Sequence, residues 1–283
     1  MTTRGEEMAD AGLNRDAGSV FIISVGNEVL TGDVVDTNSN WLARQATRRG
    51  GRVRRVTTIP DEVDTIAAAV RDAVGRRPML VFVTGGLGPT QDDLTLQGIA
   101  QGVDRPLAED ERALQMVAQR YTELAARGYV QPGLTEARRK MAVLPQGATP
   151  LWNSVGGAPG VRVDVGETAI IALPGVPGEM KAIFLESLTD LLAERLPNAY
   201  AERAGRAMLQ DDSILSAYHR RVSADHPGVY VKTRVEVFGT SDSILITFGA
   251  SAPTQDAAQA LVDAAYEDMR TSLAAGGIEL RPA

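Results

Sequence analysis

The stretch Met79-Leu80-Val81-Phe82-Val83-Thr84-Gly85-Gly86-Leu87-Gly88-Pro89-Thr90-Gln91-Asp92-Asp93-Leu94-Thr95 decides the fold. Its first five residues are apolar and β-rich without alternation, the pattern of a central strand covered on both faces of a parallel sheet. A glycine-rich loop then feeds another helix. Upstream, Arg52 to Ile59 alternates polar and apolar residues like a strand. Pro60 punctuates it, and Asp61 is placed to cap a helix through Val74 that Gly75 ends. Further upstream, Val20 to Val25 is a second apolar run ending at Gly26, and Asn40 to Arg49 reads as a helix stopped by Gly50-Gly51. The unit is βαβαβ, which predicts an α/β fold built on a doubly wound, mostly parallel sheet.

Downstream, residues 109–127 read as a helix with Leu114, Val117, Tyr121 and Leu124 on one face, expected in the core. Val161 to Val165 and Thr168 to Leu173, joined through Gly166-Glu167, look like a hairpin. Pro174-Gly175-Val176-Pro177-Gly178 opens a helix running to about Arg195. A boundary near Leu196-Pro197-Asn198 separates a larger module, 20–197, from a smaller one, 198–283. In the smaller module the order is strand (204–210), helix (213–223), strands (229–238 and 243–250), helix (254–274) and a closing strand (278–280). That is βαββαβ, the split-βαβ arrangement of an α+β domain. Residues 1–19 mix charge, Gly and Ala and are expected to form a disordered tail.

Composition narrows the chemistry. The chain of 283 residues carries 29 basic and 36 acidic side chains, a formal charge of −7, with 5% aromatics. This argues against a protein that wins affinity by neutralising nucleic-acid phosphates. The absence of cysteine excludes disulfides, thiol nucleophiles and thiolate metal sites. Two histidines, His219 and His226, read as a surface and a turn residue, which leaves acid–base or metal chemistry elsewhere to carboxylates, hydroxyls or backbone. No apolar run reaches the ~20 residues of a membrane span, so a cytoplasmic location is expected.

Three windows, 84–90, 154–160 and 174–178, hold eight of the 28 glycines and four of the 14 prolines. Each follows an apparent strand, on the edge of an open α/β sheet where ligands bind. Glycine permits close backbone approach, and helix N-termini favour phosphate or carboxylate. Three such loops on one edge point to an anionic-ligand pocket rather than to ordinary turns. No Gly-x-x-x-x-Gly-Lys-[Ser/Thr] occurs, and the only lysines are Lys140, Lys181 and Lys232, which argues against a Walker-type NTPase. The first turn, Gly26-Asn27-Glu28-Val29-Leu30-Thr31-Gly32, lacks the dinucleotide fingerprint of hydride-transfer enzymes. Asp92 and Asp93 follow the glycine loop, and Asp61 leaves the neighbouring strand, so the two strand ends can bring the three together. Taken singly, each aspartate reads first as a cap. Together they suit a hard divalent ion that neutralises a pyrophosphate and activates water. Glu28 is a further candidate, whereas Asp36-Thr37-Asn38-Ser39 reads as a helix cap.

Four segments in order, Gly26–Gly32 with Thr37-Asn38, Thr84–Thr95, Asn153–Gly160 and Leu173–Met180, resemble the competence/damage-inducible protein A family. Its N-terminal module belongs to the wider molybdopterin-binding superfamily. The resemblance covers residue 20 to about 280, including a small domain described in that family as KH-like. It implies a metal-dependent pyrophosphatase acting on ADP-ribose or a related nucleoside diphosphate compound. The superfamily's acidic positions map to Asp61 and Asp93 as metal ligands, with Asp92 beside them as a third catalytic carboxylate. The expected cofactor is Mg, Mn or Co, with potassium as a second ion. Gly85, Gly86, Gly88 and Thr90 of the glycine loop would hold phosphate, with Glu28 a further substrate-binding candidate. Ser154, Gly156, Gly157, Pro174, Gly175, Pro177 and Gly178 would close over the nucleotide or pterin. Asn27 stands where the family commonly has Thr.

The alternative is a protein that binds or adenylates a pterin in molybdenum-cofactor synthesis without hydrolase activity. Longer members of the family continue into a deamidase domain; the sequence ends at Ala283, so that activity is not carried over. RNA binding by the small domain is disfavoured, because it has no Gly-x-x-Gly loop and carries eight basic against ten acidic residues from Arg203 on. The expected partners are a small-molecule nucleotide or pterin and further copies of the chain as a homo-oligomer. Neither nucleic acid nor membrane is expected.

Overall fold

A computed structural model describes residues 18–196, 198–234 and 242–283. Residues 1–17 of the expected tail and 235–238 of an expected strand lie outside the described residues. The chain divides into two compact units, Met1–Thr47 with Gly51–Leu196, and Arg48–Gly50 with Pro197–Ala283.

The first unit begins with β1 (Ser19–Val25), whose first residue falls within the stretch expected as tail. A helical turn, α1 (Asn27–Leu30), leads to α2 (Thr37–Arg48), β2 (Arg52–Ile59), α3 (Val63–Gly75) and β3 (Leu80–Thr84). Then come α4 (Thr95–Gly102), β4 (Leu107–Glu109), α5 (Glu111–Ala126), α6 (Glu136–Lys140) and β5 (Val143–Pro145). The unit closes with β6 (Thr149–Leu151), β7 (Gly160–Val165), β8 (Thr168–Leu173), α7 (Pro177–Ser187) and α8 (Thr189–Arg195).

The main sheet has the order β2-β1-β3-β8-β7-β6. Its first four strands are parallel, and β7 is antiparallel to both of its neighbours, β8 and β6. Side chains of β1, β3 and β8 alternate between two cores. Phe21, Ile23, Val81, Val83, Ile170 and Ala172 meet Ile66 and Val70 of α3, Ile99 of α4 and Val117 of α5. Val20, Ile22, Leu80, Phe82 and Ile171 meet Leu42 of α2, Phe184 of α7 and Leu192 of α8. The unbroken apolar run of β3 is thus buried on both faces, and burying each such side chain contributes about 1.5–3 kcal/mol. At Gly98 a Cβ would lie 2.4 Å from Ile66, so glycine is what lets α4 lie against α3.

Two helix expectations need correction. The helix expected from Asn40 starts at Thr37, because Asp36 Oδ1 accepts from Ser39 N at 2.8 Å and caps it three residues early. The helix expected from Pro174 to Arg195 is two helices: Leu188 (φ −111°, ψ −1°) leaves helical geometry with its side chain fully buried in the core.

The second unit runs β9 (Ala199–Ala207), α9 (Leu215–Asp225), β10 (Val229–Arg234), β11 (Ile244–Ala252), α10 (Gln255–Ala275) and β12 (Leu280–Pro282). Its sheet order, β10-β11-β9-β12 with every pair antiparallel, is that of the split-βαβ arrangement. The KH-like description gains no support from it. A single core joins Ile246, Phe248, Val222, Val262, Tyr266 and Met269. The first strand lies earlier than the expected 204–210.

Candidate functional site

The parallel strands β2, β1, β3 and β8 end on one rim, and the polar residues of the site follow those ends. Asp61 leaves β2, Glu28 follows β1, Gly85 to Asp93 follow β3, and Pro174 to Glu179 follow β8. A cleft of about 460 Å³ there is lined by Glu28, Asp61, Gly85, Gly86, Gly88, Asp92, Asp93, Gly157, Pro174 and Gly175, among others.

Neither aspartate segment is used to cap the helix that follows it. The N-cap of α3 is Glu62, without a side-chain cap bond, while Asp61 Oδ2 accepts from the Asn27 main-chain N–H at 2.8 Å. Any residue except proline supplies that donor, so the bond does not depend on the Asn27 side chain. Helix α4 begins at Thr95, and Asp93 Oδ2 instead accepts from Thr90 N at 2.8 Å. The Thr90 hydroxyl lies against both Asp92 and Asp93, which closes the acidic turn. Lys140 Nζ, at the end of α6, donates to the Asp93 carbonyl at 2.9 Å and to the Thr90 carbonyl.

Crowding has an electrostatic consequence. Burial pushes the Asp61 carboxyl above the usual carboxylate range. The Asn27 N–H pulls it down, and the charges of Glu28, Asp92 and Asp93 push it further up. On the exposed side of the cluster, the Thr90 hydroxyl holds the Asp92 carboxyl below its ordinary value.

The glycine loop is shaped for close approach. Gly85 has φ +105°, and a Cβ on it would lie 2.0 Å from the Val25 carbonyl oxygen. Gly88 packs on the acidic turn, with its would-be Cβ 2.6 Å from Asp93 Oδ2. Thr95 Oγ1 donates to the Gly85 carbonyl at 2.8 Å and braces the loop from behind.

The remaining expected residues stand apart from the cleft lining. Ser154 Oγ donates to Glu186 Oε1 at 2.8 Å. Gly156 is engaged through its main chain by Asn153 and Arg120. Thr90 acts through Asp92 and Asp93. Pro177 borders a smaller neighbouring hollow, and Gly178 lies in the first turn of α7.

Sequence reasoning missed four residues. Tyr121 packs against the core as expected but also lines the cleft, and its ring lies 2.7 Å from where a Gly157 Cβ would be. Asn38, read as part of a cap, donates to the Gly175 carbonyl at 2.7 Å and to Thr84 Oγ1 at 3.2 Å, tying two rim loops together. Asn153, 1% exposed, donates to Ala158 O and Glu179 Oε2, both at 2.7 Å, and accepts from Val155 N and Gly156 N. Glu179, half-buried in the first turn of α7, lines the cleft. The available signal was position: Asn153 and Glu179 flank the second and third glycine windows.

Among the described residues, no three His, Asp or Glu side chains form a group that could hold a metal ion by themselves. The donors still fit a Mg²⁺-type ion, which takes one or two carboxylates and completes its shell with water and substrate phosphate.

A family model described as a probable molybdopterin binding domain matches residues 21–194. The crystal structure of the protein CinA of unknown function from Thermoplasma acidophilum is 39% identical. The match covers 62% of this chain and 98% of that one, with a TM-score of 0.57. The chain belongs to the CinA-like molybdopterin-binding-domain family. Relatives extend the match beyond the first unit. A protein of Metallosphaera sedula is 42% identical over 224 residues, 79% of this chain and 82% of its own length. One of Pyrobaculum calidifontis is 40% identical over 253 residues, 89% and 94% respectively. The CinA-like unit thus carries the rim and its acidic turn inside the matched region. No described helix is long and apolar enough to cross a membrane.

Proposed function

We propose that this CinA-like protein hydrolyses a nucleoside diphosphate compound of the ADP-ribose class with the help of a divalent metal. The observation that carries this reading is the joint lining of one cleft by Asp61, Asp93 and the Gly85–Gly88 loop. Acidic groups beside a phosphate-binding loop are mutually repulsive with an anionic substrate unless a cation is shared between them. Asp61 and Asp93 are the residues that would hold it, and when bound the metal neutralises the diphosphate and lowers the pKa of an attacking water. The chain's own contribution is orientation. Asn27 N–H fixes Asp61, Thr90 fixes Asp93, and the glycine loop lets main chain approach the phosphates.

A second reading, in keeping with the matched description of a probable molybdopterin binding domain, is that the same rim binds a pterin, or adenylates it, without hydrolysis. Incubation with ADP-ribose, FAD, NAD or ATP and Mg²⁺, Mn²⁺ or Co²⁺ separates the two. Hydrolysis yields AMP and ribose 5-phosphate from ADP-ribose. Tight pterin binding with no AMP released from any of the four would overturn the hydrolase reading.

A further inference from the structure

The cleft has a second reactive wall. Asp61, Glu28 and Asp93 follow β2, β1 and β3, whereas Glu179 follows β8, on the far side of β3 from Asp61. With neighbouring strands about 4.8 Å apart, the ends of β3 and β8, which carry Asp93 and Glu179, are one strand spacing from each other along the rim, the scale of a single diphosphate. We infer that Glu179 is the proton donor to the departing phosphate, working across the cleft from the acidic turn; this rests on the hydrolase reading above.

The setting of Glu179 is built rather than incidental. Asn153 makes four hydrogen bonds, two accepted by Oδ1 from main-chain N–H groups, and these fix which end of its amide faces Glu179 Oε2. The carboxylate lies flat on Gly156, where a Cβ would come within 1.9 Å of Oε2. Arg120 of α5, 4% exposed, holds the same loop through the Gly156 and Val155 carbonyls at 3.1 and 2.9 Å. Arg120 is itself paired with Glu123, so its charge is partly answered before it reaches Glu179. The other ionisable side chain lining the cleft beside Glu179 on this wall is Tyr121 of α5. Burial pushes the Glu179 carboxyl up, and the Asn153 amide and Arg120 guanidinium pull it back. Among the described carboxylates, Asp61 and Glu179 are the two held above their ordinary value, and both line this cleft.

The step balances. The water oxygen forms a bond to one phosphorus and the bond from that phosphorus to the bridging oxygen breaks. The electron pair passes to the bridging oxygen, which takes the Glu179 proton. The water proton leaves to solvent, and Glu179 regains its proton there after the products depart.

The test compares two leaving groups in the whole chain with its metal. ADP-ribose releases a phosphate that profits from a proton, and the 4-nitrophenyl ester of thymidine monophosphate releases a phenolate that does not. Glu179→Gln keeps an acceptor for Asn153 but cannot give a proton. It is expected to lower kcat on ADP-ribose about a hundredfold, leave the nitrophenyl ester within about threefold, and remove the alkaline limb of the pH–rate profile. Equal losses on both substrates, or an unchanged alkaline limb, would overturn the assignment. Should the Gln variant fail to fold, Glu179→Asp reports instead: slower on ADP-ribose with the alkaline limb kept supports the donor role, and a lost limb sinks it. A wild type that cleaves the ester but no diphosphate defeats the hydrolase reading and this inference together. Wild-type diphosphate cleavage with equal losses in the variant defeats the inference alone.

Discussion

The two sheets of this molecule use their strand ends in different ways. In the first unit four parallel strands deliver every C-terminal end to one rim, so the loops that follow β2, β1, β3 and β8 meet around a single cleft. In the second unit each strand pairs antiparallel with its neighbours, and successive ends point in opposite directions. The lesson is that strand direction, more than residue supply, decides where acids gather. The small unit is also rich in carboxylates, but several of those on its helix α10 are paired with arginines. Arg203 meets Asp263 and Glu267, and Arg221 meets Asp268.

The contrast breaks most sharply at Asp93. Asp93→Asn should reduce AMP release by a hundredfold or more, roughly the range of a lost acid–base or metal-holding group, with the melting temperature nearly unchanged. Turnover at the wild-type rate in that variant would remove the acidic turn from the chemistry. Phe248→Ala is the counterpart in the small unit. Phe248 is fully buried and lies edge-on to Tyr266 at 5.6 Å, so its loss should cost about 3–5 kcal/mol in denaturant unfolding. Per folded molecule, that variant should still release AMP as the wild type does.

Smaller effects sharpen the comparison. A carboxyl whose folded value lies above its unfolded one makes the folded state bind more protons, so stability falls as pH rises through that interval. Burial raises both Asp61 and Glu179. Asp61→Asn is therefore expected to lose turnover yet melt higher than wild type at pH 8, with the gain vanishing at pH 4. A lower melting point at pH 8 would show that the Asn27 bond outweighs the crowding. The least change belongs to Tyr266→Phe, since the buried Tyr266 hydroxyl has no hydrogen-bond partner among the described residues. Unfolding curves should shift by no more than about 1 kcal/mol, in the stabilising direction if at all.

Much of this was legible in the sequence because it is local. The run Leu80–Val83 announces a strand covered on both faces, and the glycine windows announce the rim. The split-βαβ order of the small unit followed from alternation and turn residues, although β9 begins at Ala199 rather than 204. The partners of polar side chains were not legible. Asp61 looked like a cap for the helix after it, but its carboxylate turns back to Asn27, 34 residues away. Tyr121 has helical spacing appropriate to a core face, and only the return of the chain at Gly157 makes it a cleft wall. Asn38 and Asn153 carry no periodic signal, since Asn38 bonds the main chain of Gly175 and Asn153 joins the loop that follows it to the Glu179 carboxylate.

Lys140 donates its hydrogen bonds to the peptide oxygens of Thr90 and Asp93, and reaches the Asp92 carboxyl only through its charge. Those oxygens keep the same charge at every pH and whether or not a cation is bound. The acidic turn therefore has one main-chain anchor that does not depend on the ionisation of the groups it displays, beside the Thr90 bonds that do.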